Sequence, residues 1–293
     1  MFNEKTKNYI KLLRPAHLLK NLFIFLPLFF GLKIFNLELV GITTLAFVAF
    51  SLIAGSVYIL NDYFDIEEDR QHPRKKTRPL VSGAVSKPEA IFLMVLLFLI
   101  GILISVFLNI KVFYIIIGYL LLNILYTLKI KHIPILDVSS VAAGFIMRLF
   151  VGSVVSGVEL TMWILIMTFL LALFLALAKR REDILLYLEN GIKTRQVVDG
   201  YNPEFLNASM IIMASTLIVS YILYTVSPEV IAKTHSNVLY MTALFVILGI
   251  LRYMQITLVE NKSGSPTEVL LKDRFIQSCI FFWVLSFVFI LYL

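Results

Sequence analysis

Asn61, Asp62, Asp65 and Asp69 stand at relative positions 0, 1, 4 and 8 of one acidic stretch, Asn61-Asp62-Tyr63-Phe64-Asp65-Ile66-Glu67-Glu68-Asp69. On a helix turning about 100° per residue they point to roughly 0°, 100°, 40° and 80°, one narrow arc. Glu68 falls at the edge of that arc and Glu67 points away. Three like charges on one face repel one another unless a cation neutralises them. Hard oxygen donors at this density suit Mg²⁺, which shares its sphere with water and phosphate oxygens. A solvated acidic helix end is the plain alternative, but it explains neither the spacing nor the basic stretch that follows. That stretch, Arg70 to Gly83, carries Lys75 and Arg78 among its cations. His72-Pro73 should end the helix, because the residue before a proline is pushed out of the α region, and the basic loop can then fold back. Asn61, Asp62, Asp65 and Asp69 holding Mg²⁺, with Lys75 and Arg78 on the remaining phosphate oxygens, would make a diphosphate clamp.

An uncharged apolar run, Val40 to Leu60, leads into the motif and is long enough to be a membrane helix. The whole chain is 59% hydrophobic and only 15% charged over 293 residues, with a mean hydropathy of +0.89. Soluble domains of this size carry more charge. Nine apolar segments follow one another, roughly 18–36, 39–60, 89–110, 112–128, 136–156, 160–178, 205–227, 235–252 and 274–293. Most have the length that a bilayer core of about 30 Å asks of a helix. The first is the weakest, since Lys20 and Lys33 bracket a short apolar core containing Pro27. No period-2 alternation suggests a barrel. The expectation is an all-α polytopic membrane protein with nine transmembrane helices, residues 1–293 forming a single integral membrane domain.

The charged residues set the orientation. The connections at 1–20, 61–88, 129–135, 179–204 and 252–274 hold 22 of the 26 lysines and arginines. The positive-inside rule puts these connections and the N-terminus in the cytoplasm of a cell-membrane protein. The net charge of +7 is largely topological and calls for no nucleic acid; the rest is available to phosphates and anionic membrane lipids. The polar N-terminus lacks a small-residue cleavage site. Cys279 is the single cysteine, so no intramolecular disulfide is expected and a buried hydrophobic role fits it.

Other polar residues punctuate the helix ends. Arg14, Lys20 and Asn21 stand where the first segment enters the membrane, and snorkelling anchorage would account for the cations. Tyr126 and Lys131 close the fourth segment. Asp137 opens the fifth, and Arg148 returns to almost the same face about 16 Å deeper. An arginine at that depth costs about 3 kcal/mol on insertion scales and should face the bundle interior or an aqueous cavity. Backbone carbonyls near Gly144 and Gly152 would serve as structural partners; an anion at a cavity floor is the functional reading taken here. The sixth segment emerges into Lys179-Arg180-Arg181-Glu182-Asp183, where Lys179 and Asp183 are i and i+4 and able to pair. Glu189-Asn190-Gly191 reads as a helix end, Tyr201-Asn202-Pro203 as a helix entry, and Ser263-Gly264-Ser265-Pro266-Thr267-Glu268 as a turn-rich cytoplasmic connection.

These residues resemble a known family. Nine helices, with Asn61-Asp62-x-x-Asp65-x-x-x-Asp69 at the end of helix two, are similar to the UbiA superfamily of intramembrane prenyltransferases. Typical members carry a further aspartate pair, spaced D-x-x-x-D, after the sixth helix; this chain has Lys179-Arg180-Arg181-Glu182-Asp183 there. That departure is similar to the decaprenyl-phosphate phosphoribosyltransferase subgroup. The likeness to that subgroup extends over Arg14-Pro15, Lys20-Asn21, Tyr126-Thr127, Lys131-His132, Asp137, Gly144, Arg148, Lys179-Arg180, Asp183, Tyr201, Arg252-Tyr253 and Asp273-Arg274. Leu18 stands where that subgroup usually has tryptophan. The resemblance implies a UbiA-like bundle around a cavity open to the cytoplasmic side. It also implies a Mg²⁺-dependent reaction in which phosphoribosyl diphosphate and a polyprenyl phosphate give polyprenylphosphoryl-5-phosphoribose, a cell-wall precursor, and diphosphate. Asp62, Asp65, Lys179 and Arg180 would be catalytic, and Arg14, Lys20, Asn21, Lys75, Arg78, Tyr126, Lys131, Asp137, Arg148, Asp183 and Tyr201 would bind substrate.

The charges suit that reaction. The sugar carries the leaving diphosphate and the lipid phosphate is the nucleophile, so one acidic motif suffices and cations must hold the other phosphates. Two alternatives stand beside it: a prenyltransferase moving a prenyl group from prenyl diphosphate to an aromatic or other acceptor, and, more distantly, a transporter. A transporter would be expected to carry mid-membrane carboxylates or interrupted helices, whereas the only mid-span charge here is Arg148. Polyprenyl length is not legible, and an oligomer is left open.

Overall fold

A computed structural model describes residues 4–71, 75–191, 196–261 and 266–292. Among these the chain is all helical. In chain order the α-helices are α1 (Glu4–Leu12), α2 (Leu26–Phe30), α3 (Leu37–Phe64), α4 (Ile66–Gln71), α5 (Lys87–Leu108), α6 (Ile110–Leu128) and α7 (Leu136–Ser156). They continue with α8 (Met162–Asn190), α9 (Pro203–Thr225), α10 (Pro228–Thr234), α11 (Ala243–Leu258), α12 (Pro266–Lys272) and α13 (Arg274–Tyr292). Eight helices among the described residues are long and apolar enough to cross a membrane, nine if the bent pair Glu4–Leu12 and Pro15–Phe30 is one span. This is an all-α polytopic membrane protein.

Local chemistry explains the helix ends. Ser86 caps α5 and forms a reciprocal box with Glu89, its side chain taking the Glu89 N–H while the carboxylate takes the Ser86 N–H. Asn36 and Asn202 cap α3 and α9 in the same way, each side chain accepting a backbone N–H of the first turn. Gly191, at φ 64, follows α8 in the left-handed conformation expected of a helix end. Phe92, Leu99, Leu103 and Phe107 of α5 are all exposed, Phe107 by 82%. An apolar stripe of that length is costly in water and at home against lipid tails.

The first segment departs from expectation. Pro15–Phe25 is a 3₁₀ helix running into the short α2, set at 46° to α1. Arg14 precedes a proline and cannot continue α1; it takes left-handed backbone at φ 49. Pro27 has no N–H to give an α-helical ladder. Helix α8 runs past the apolar segment to Asn190, the helix end read at Glu189-Asn190-Gly191, and carries Lys179–Asp183 on helix as their i, i+4 spacing expects. The expected stop at His72-Pro73 and the first half of the expected turn, Ser263-Gly264-Ser265, lie outside the described residues; Pro266-Thr267-Glu268, read as the rest of that turn, instead opens α12, where the first turn of a helix accepts a proline.

The chain divides into two compact units, Met1–Leu160 with Tyr187–Val197, and Thr161–Leu186 with Val198–Leu293. In the first, α3 packs most extensively on α5, and α7 packs on α6, α3 and the 3₁₀ segment. Ile24, Phe50, Ile53, Ile116, Tyr119 and Val151 share one buried cluster there. A second cluster joins Leu12, Ile59 and Ile66 to Leu80 and Val85, which anchors the loop after the acidic motif beside that motif. Close approach of the 3₁₀ segment to α7 depends on Gly152, where a Cβ would run into the Ile24 carbonyl oxygen. Gly152→Ala should therefore destabilise the protein by about 1–3 kcal/mol through overpacking, read as a lowered thermal transition in detergent; an unchanged transition would contradict this packing.

In the second unit α11 packs on α9 and α13. Tyr221 of α9 ties three segments together: its hydroxyl lies 2.6 Å from Thr242 Oγ1 and accepts the Trp283 indole N–H at 2.8 Å. Such bonds satisfy polar atoms that water does not reach. Cys279 is buried in α13, as its apolar role requires.

Candidate active site

The acidic motif straddles the junction of α3 and α4. The helix breaks only at Asp65 (φ −93, ψ 8), and the Asp65 N–H to Asn61 and Asp69 N–H to Asp65 hydrogen bonds, 2.9 and 2.8 Å, carry the turn across the break. The arc expected from the spacing survives and then divides. Its 0° and 40° members face the end of α6: Thr127 Oγ1 donates to Asn61 Oδ1, and Lys131 Nζ donates to Asp65 Oδ1 at 2.7 Å. Its 100° and 80° members, Asp62 and Asp69, are 2% and 1% exposed and face Arg14 and the basic loop. Arg14 donates to Asp62 Oδ1, Arg78 Nη1 donates to Asp62 Oδ1 at 2.9 Å and also to Asp69 Oδ2, and Lys75 Nζ lies 3.2 Å from Asp69 Oδ1. Glu67 and Glu68 are exposed, Glu67 paired with Arg70 at 2.9 Å.

The loop does fold back as expected, and at an energetic cost. Burial, then the neighbouring Arg14 charge, pulls the Arg78 pKa below its ordinary value even though Asp62 and Asp69 oppose the shift. Arg14 also lies over the Tyr58 ring, 5.3 Å from its centroid.

Among the described residues no three histidine, cysteine, aspartate or glutamate side chains gather closely enough to hold an ion by themselves. Asp62 and Asp69 nevertheless converge on one positive centre, the Arg78 nitrogen. One or two carboxylates completed by water and substrate phosphate oxygens is what Mg²⁺ ordinarily takes. The donor set fits that ion, with Asp62 and Asp69 as the paired carboxylates and Asn61 and Asp65 on the adjoining strip.

Three expected substrate contacts lie inside the packing instead. Arg148 is 4% exposed, donates through Nε to Asn21 Oδ1 at 2.8 Å and through Nη1 to the Gly144 carbonyl at 2.6 Å, and sits over the Phe50, Tyr119 and Phe145 rings. Asn21 completes the chain by donating to Ser51 Oγ at 2.8 Å. Carbonyl, amide and rings surround the charge, the backbone carbonyl expected near Gly144 among them. Asn21 is 1% exposed and Asp137 wholly buried at the start of α7. Lys20 and Tyr126 are half-buried in the 3₁₀ segment and on α6.

The second unit carries the other predicted cluster, on α8. Arg180 Nη1 donates to Asp183 Oδ2 at 2.8 Å, and both residues are buried. Lys179 Nζ lies 2.5 Å from Glu182 Oε2 and 3.7 Å from Asp183 Oδ1. Glu182, three residues on from Lys179, is a partner that the i, i+4 spacing alone does not indicate. Arg181 is the cation of the run taken up by structure, donating to Asn207, the Thr257 carbonyl and Asn261 at 2.8, 2.6 and 2.9 Å. Tyr201 is buried and stacks on Phe205. Arg252 joins Glu260 and Asp273 at 2.8 and 2.9 Å, which links two of the pairs that carry the subgroup likeness. Burial alone would raise the Asp273 carboxyl, but the Arg252 and Ile276 donors outweigh it and hold its pKa low. Two residues that the subgroup likeness named without a role gain a setting here: Thr127 holds Asn61, and Tyr253 has a buried hydroxyl that finds no partner among the described residues.

This is a polytopic helical membrane protein with carboxylates and cations interleaved at a helix end. The sequence profile of the UbiA prenyltransferase family matches residues 23–291, and the chain belongs to that family. It is 31% identical to the decaprenyl-phosphate phosphoribosyltransferase of Corynebacterium glutamicum, over 97% of this chain and 86% of that protein. It is 29% identical to the enzyme of the same name from Mycolicibacterium smegmatis, over 94% and 89%. In fold it is similar to a UbiA homologue from Archaeoglobus fulgidus bound to GPP and Mg²⁺, with a TM-score of 0.71 at 19% identity, covering 98% of this chain and 100% of that one.

Proposed function

We propose that this chain transfers the 5-phosphoribosyl group from phosphoribosyl diphosphate to a polyprenyl phosphate, yielding polyprenylphosphoryl-5-phosphoribose and diphosphate. The observation that carries the reading is the distribution of charge. One acidic motif is faced by Arg14, Lys75, Arg78 and Lys131. Where a second acidic pair would serve a prenyl diphosphate, α8 presents Lys179 and Arg180. The two relatives described above, matched over nearly the whole chain, carry the name of this activity.

The lipid phosphate oxygen forms the new bond to the anomeric carbon while the bond from that carbon to the diphosphate breaks. Charge develops as an oxocarbenium-like sugar, by analogy with other glycosyl transfers. A phosphate monoester is already ionised near neutral pH, so no side chain need remove a proton. Asp62, Asp65 and Asp69, with the Asn61 amide oxygen, would hold Mg²⁺, which would supply charge neutralisation to the leaving diphosphate. Arg14, Arg78, Lys75 and Lys131 would bind its phosphate oxygens. Lys20, Lys179 and Arg180 bind the sugar and lipid phosphates, Asp183 orients Arg180, and Tyr126 and Tyr201 shape the substrate contacts. We propose further that residues 1–293 act as one integral domain. The N-terminus and basic connections would lie in the cytoplasm, with the cavity open to that side.

Purified protein supplied with both substrates and Mg²⁺ should release diphosphate in equal amount to a lipid-extractable phosphoribosyl product; release of neither would sink the reading. Arg180 gives a finer check. Arg180→Ala should raise the KM for phosphoribosyl diphosphate about 10–100-fold, the loss of one or two charge-assisted hydrogen bonds. Reporter fusions should show unchanged insertion, since the connection keeps its other cations. A changed orientation with an unchanged KM would reduce Arg180 to a topological charge.

A further inference from the structure

The seat between Asp62 and Asp69 is already filled by a cation of the chain itself. Arg78 Nη1 reaches both carboxylates at once, Arg14 shares the same Asp62 oxygen, and Lys75 takes the other oxygen of Asp69. Two negative charges are thus met by three positive ones. A bare divalent ion entering this seat meets net repulsion in a part-buried site, where charges are poorly screened. A metal arriving with a diphosphate brings more negative charge than positive, and its oxygens offer the displaced guanidinium a bidentate partner. Arg78 is built for such a turn. Leu80 and Val85 of its loop are locked into the buried cluster with Ile59 and Ile66, while the Arg78 side chain keeps 25% exposure. The backbone is held and the head group can swing.

We propose that Arg78 is the resident counter-ion of the acidic motif and makes metal binding conditional on diphosphate. Between turnovers it keeps the buried Asp62 and Asp69 paired. When a diphosphate arrives, it moves from carboxylate to phosphate and leaves the carboxylates to the ion. Metal and diphosphate then raise each other's affinity, a coupling that linkage makes reciprocal. This inference rests on the motif being the metal–diphosphate seat.

The test uses the full chain in nanodiscs and Mn²⁺ as the probe, with free Mn²⁺ read by electron paramagnetic resonance. Wild type should bind Mn²⁺ weakly alone and more tightly once inorganic diphosphate is added. Arg78→Gln should bind Mn²⁺ without diphosphate about tenfold more tightly than wild type, the change that 1.4 kcal/mol produces, and should gain less from diphosphate. Arg78→Lys, which keeps a charge but loses the fork, should shift the same way by a smaller factor. Arg70→Gln, removing a cation paired only with exposed Glu67 among the described contacts, should change nothing. An unchanged or weakened affinity for metal alone in both Arg78 variants would overturn the proposal. So would wild-type protein that binds Mn²⁺ equally well with and without diphosphate, a measurement that needs no variant to fold. Asp62→Asn separates the two layers. If it abolishes Mn²⁺ binding in the presence of diphosphate while the Arg78 arms fail, only the counter-ion role falls; if it has no effect, the metal seat itself falls.

Discussion

Asp62→Asn should lower turnover by about a thousandfold, the scale on which one preorganised electrostatic contact to developing charge contributes. Asp62 receives both Arg14 and Arg78 and is 2% exposed, so it is one of two buried carboxylates that each meet two cations. Asparagine keeps its shape and one acceptor oxygen but neither the charge nor the pull on a metal. The fold should survive: removing a buried carboxylate also removes its desolvation cost, and Arg14 and Arg78, 20% and 25% exposed, can turn to solvent. The protein should keep its thermal transition in detergent. EDTA should abolish wild-type turnover and Mg²⁺ should restore it. Near-normal turnover in Asp62→Asn, with the metal dependence intact, would refute the role given to this residue.

The choice of donor should be all or none. A prenyl-diphosphate enzyme ionises an allylic carbon, and the family's usual means is two acidic motifs around that diphosphate. Here the second position is occupied by Lys179–Glu182 and Arg180–Asp183 ion pairs on α8, in which each carboxylate already has a cation. Radiolabelled phosphoribosyl diphosphate with polyprenyl phosphate should give a labelled lipid and an equal amount of diphosphate. Prenyl diphosphate with 4-hydroxybenzoate or a naphthoate should give no product. Ribose 5-phosphate in place of phosphoribosyl diphosphate should also give none, because there is no leaving group to stabilise. Transfer of a prenyl label to an aromatic acceptor without the sugar donor would overturn the assignment in favour of prenyl transfer.

Much of this was legible along the chain because it depends on local periodicity. Apolar runs of membrane length, Gly191 after a helix, and four polar residues on one helical arc all follow from the geometry of a single segment. The clamp of carboxylate and base was legible for the same reason: Arg78 lies nine residues after Asp69 and returns to it across one loop. Periodicity fixes the angle of a side chain about its own helix but not which neighbour stands opposite. Only the packed structure divided the arc, giving Asn61 and Asp65 to Thr127 and Lys131, and Asp62 and Asp69 to Arg14 and Arg78. Arg148 looked like an anion site because a charge in a membrane span needs a partner, and that need was real. The carbonyl of Gly144 and the Phe145 ring lie on its own helix, within reach of a local reading; Asn21, 127 residues away, and the Phe50 and Tyr119 rings of α3 and α6 came only with packing. The sequence by itself determined that these charges exist, where they fall on each helix, and that apolar helices must carry them. Which charges neutralise one another was decided only when distant helices packed, because a buried ion takes whichever counter-charge the fold brings within reach.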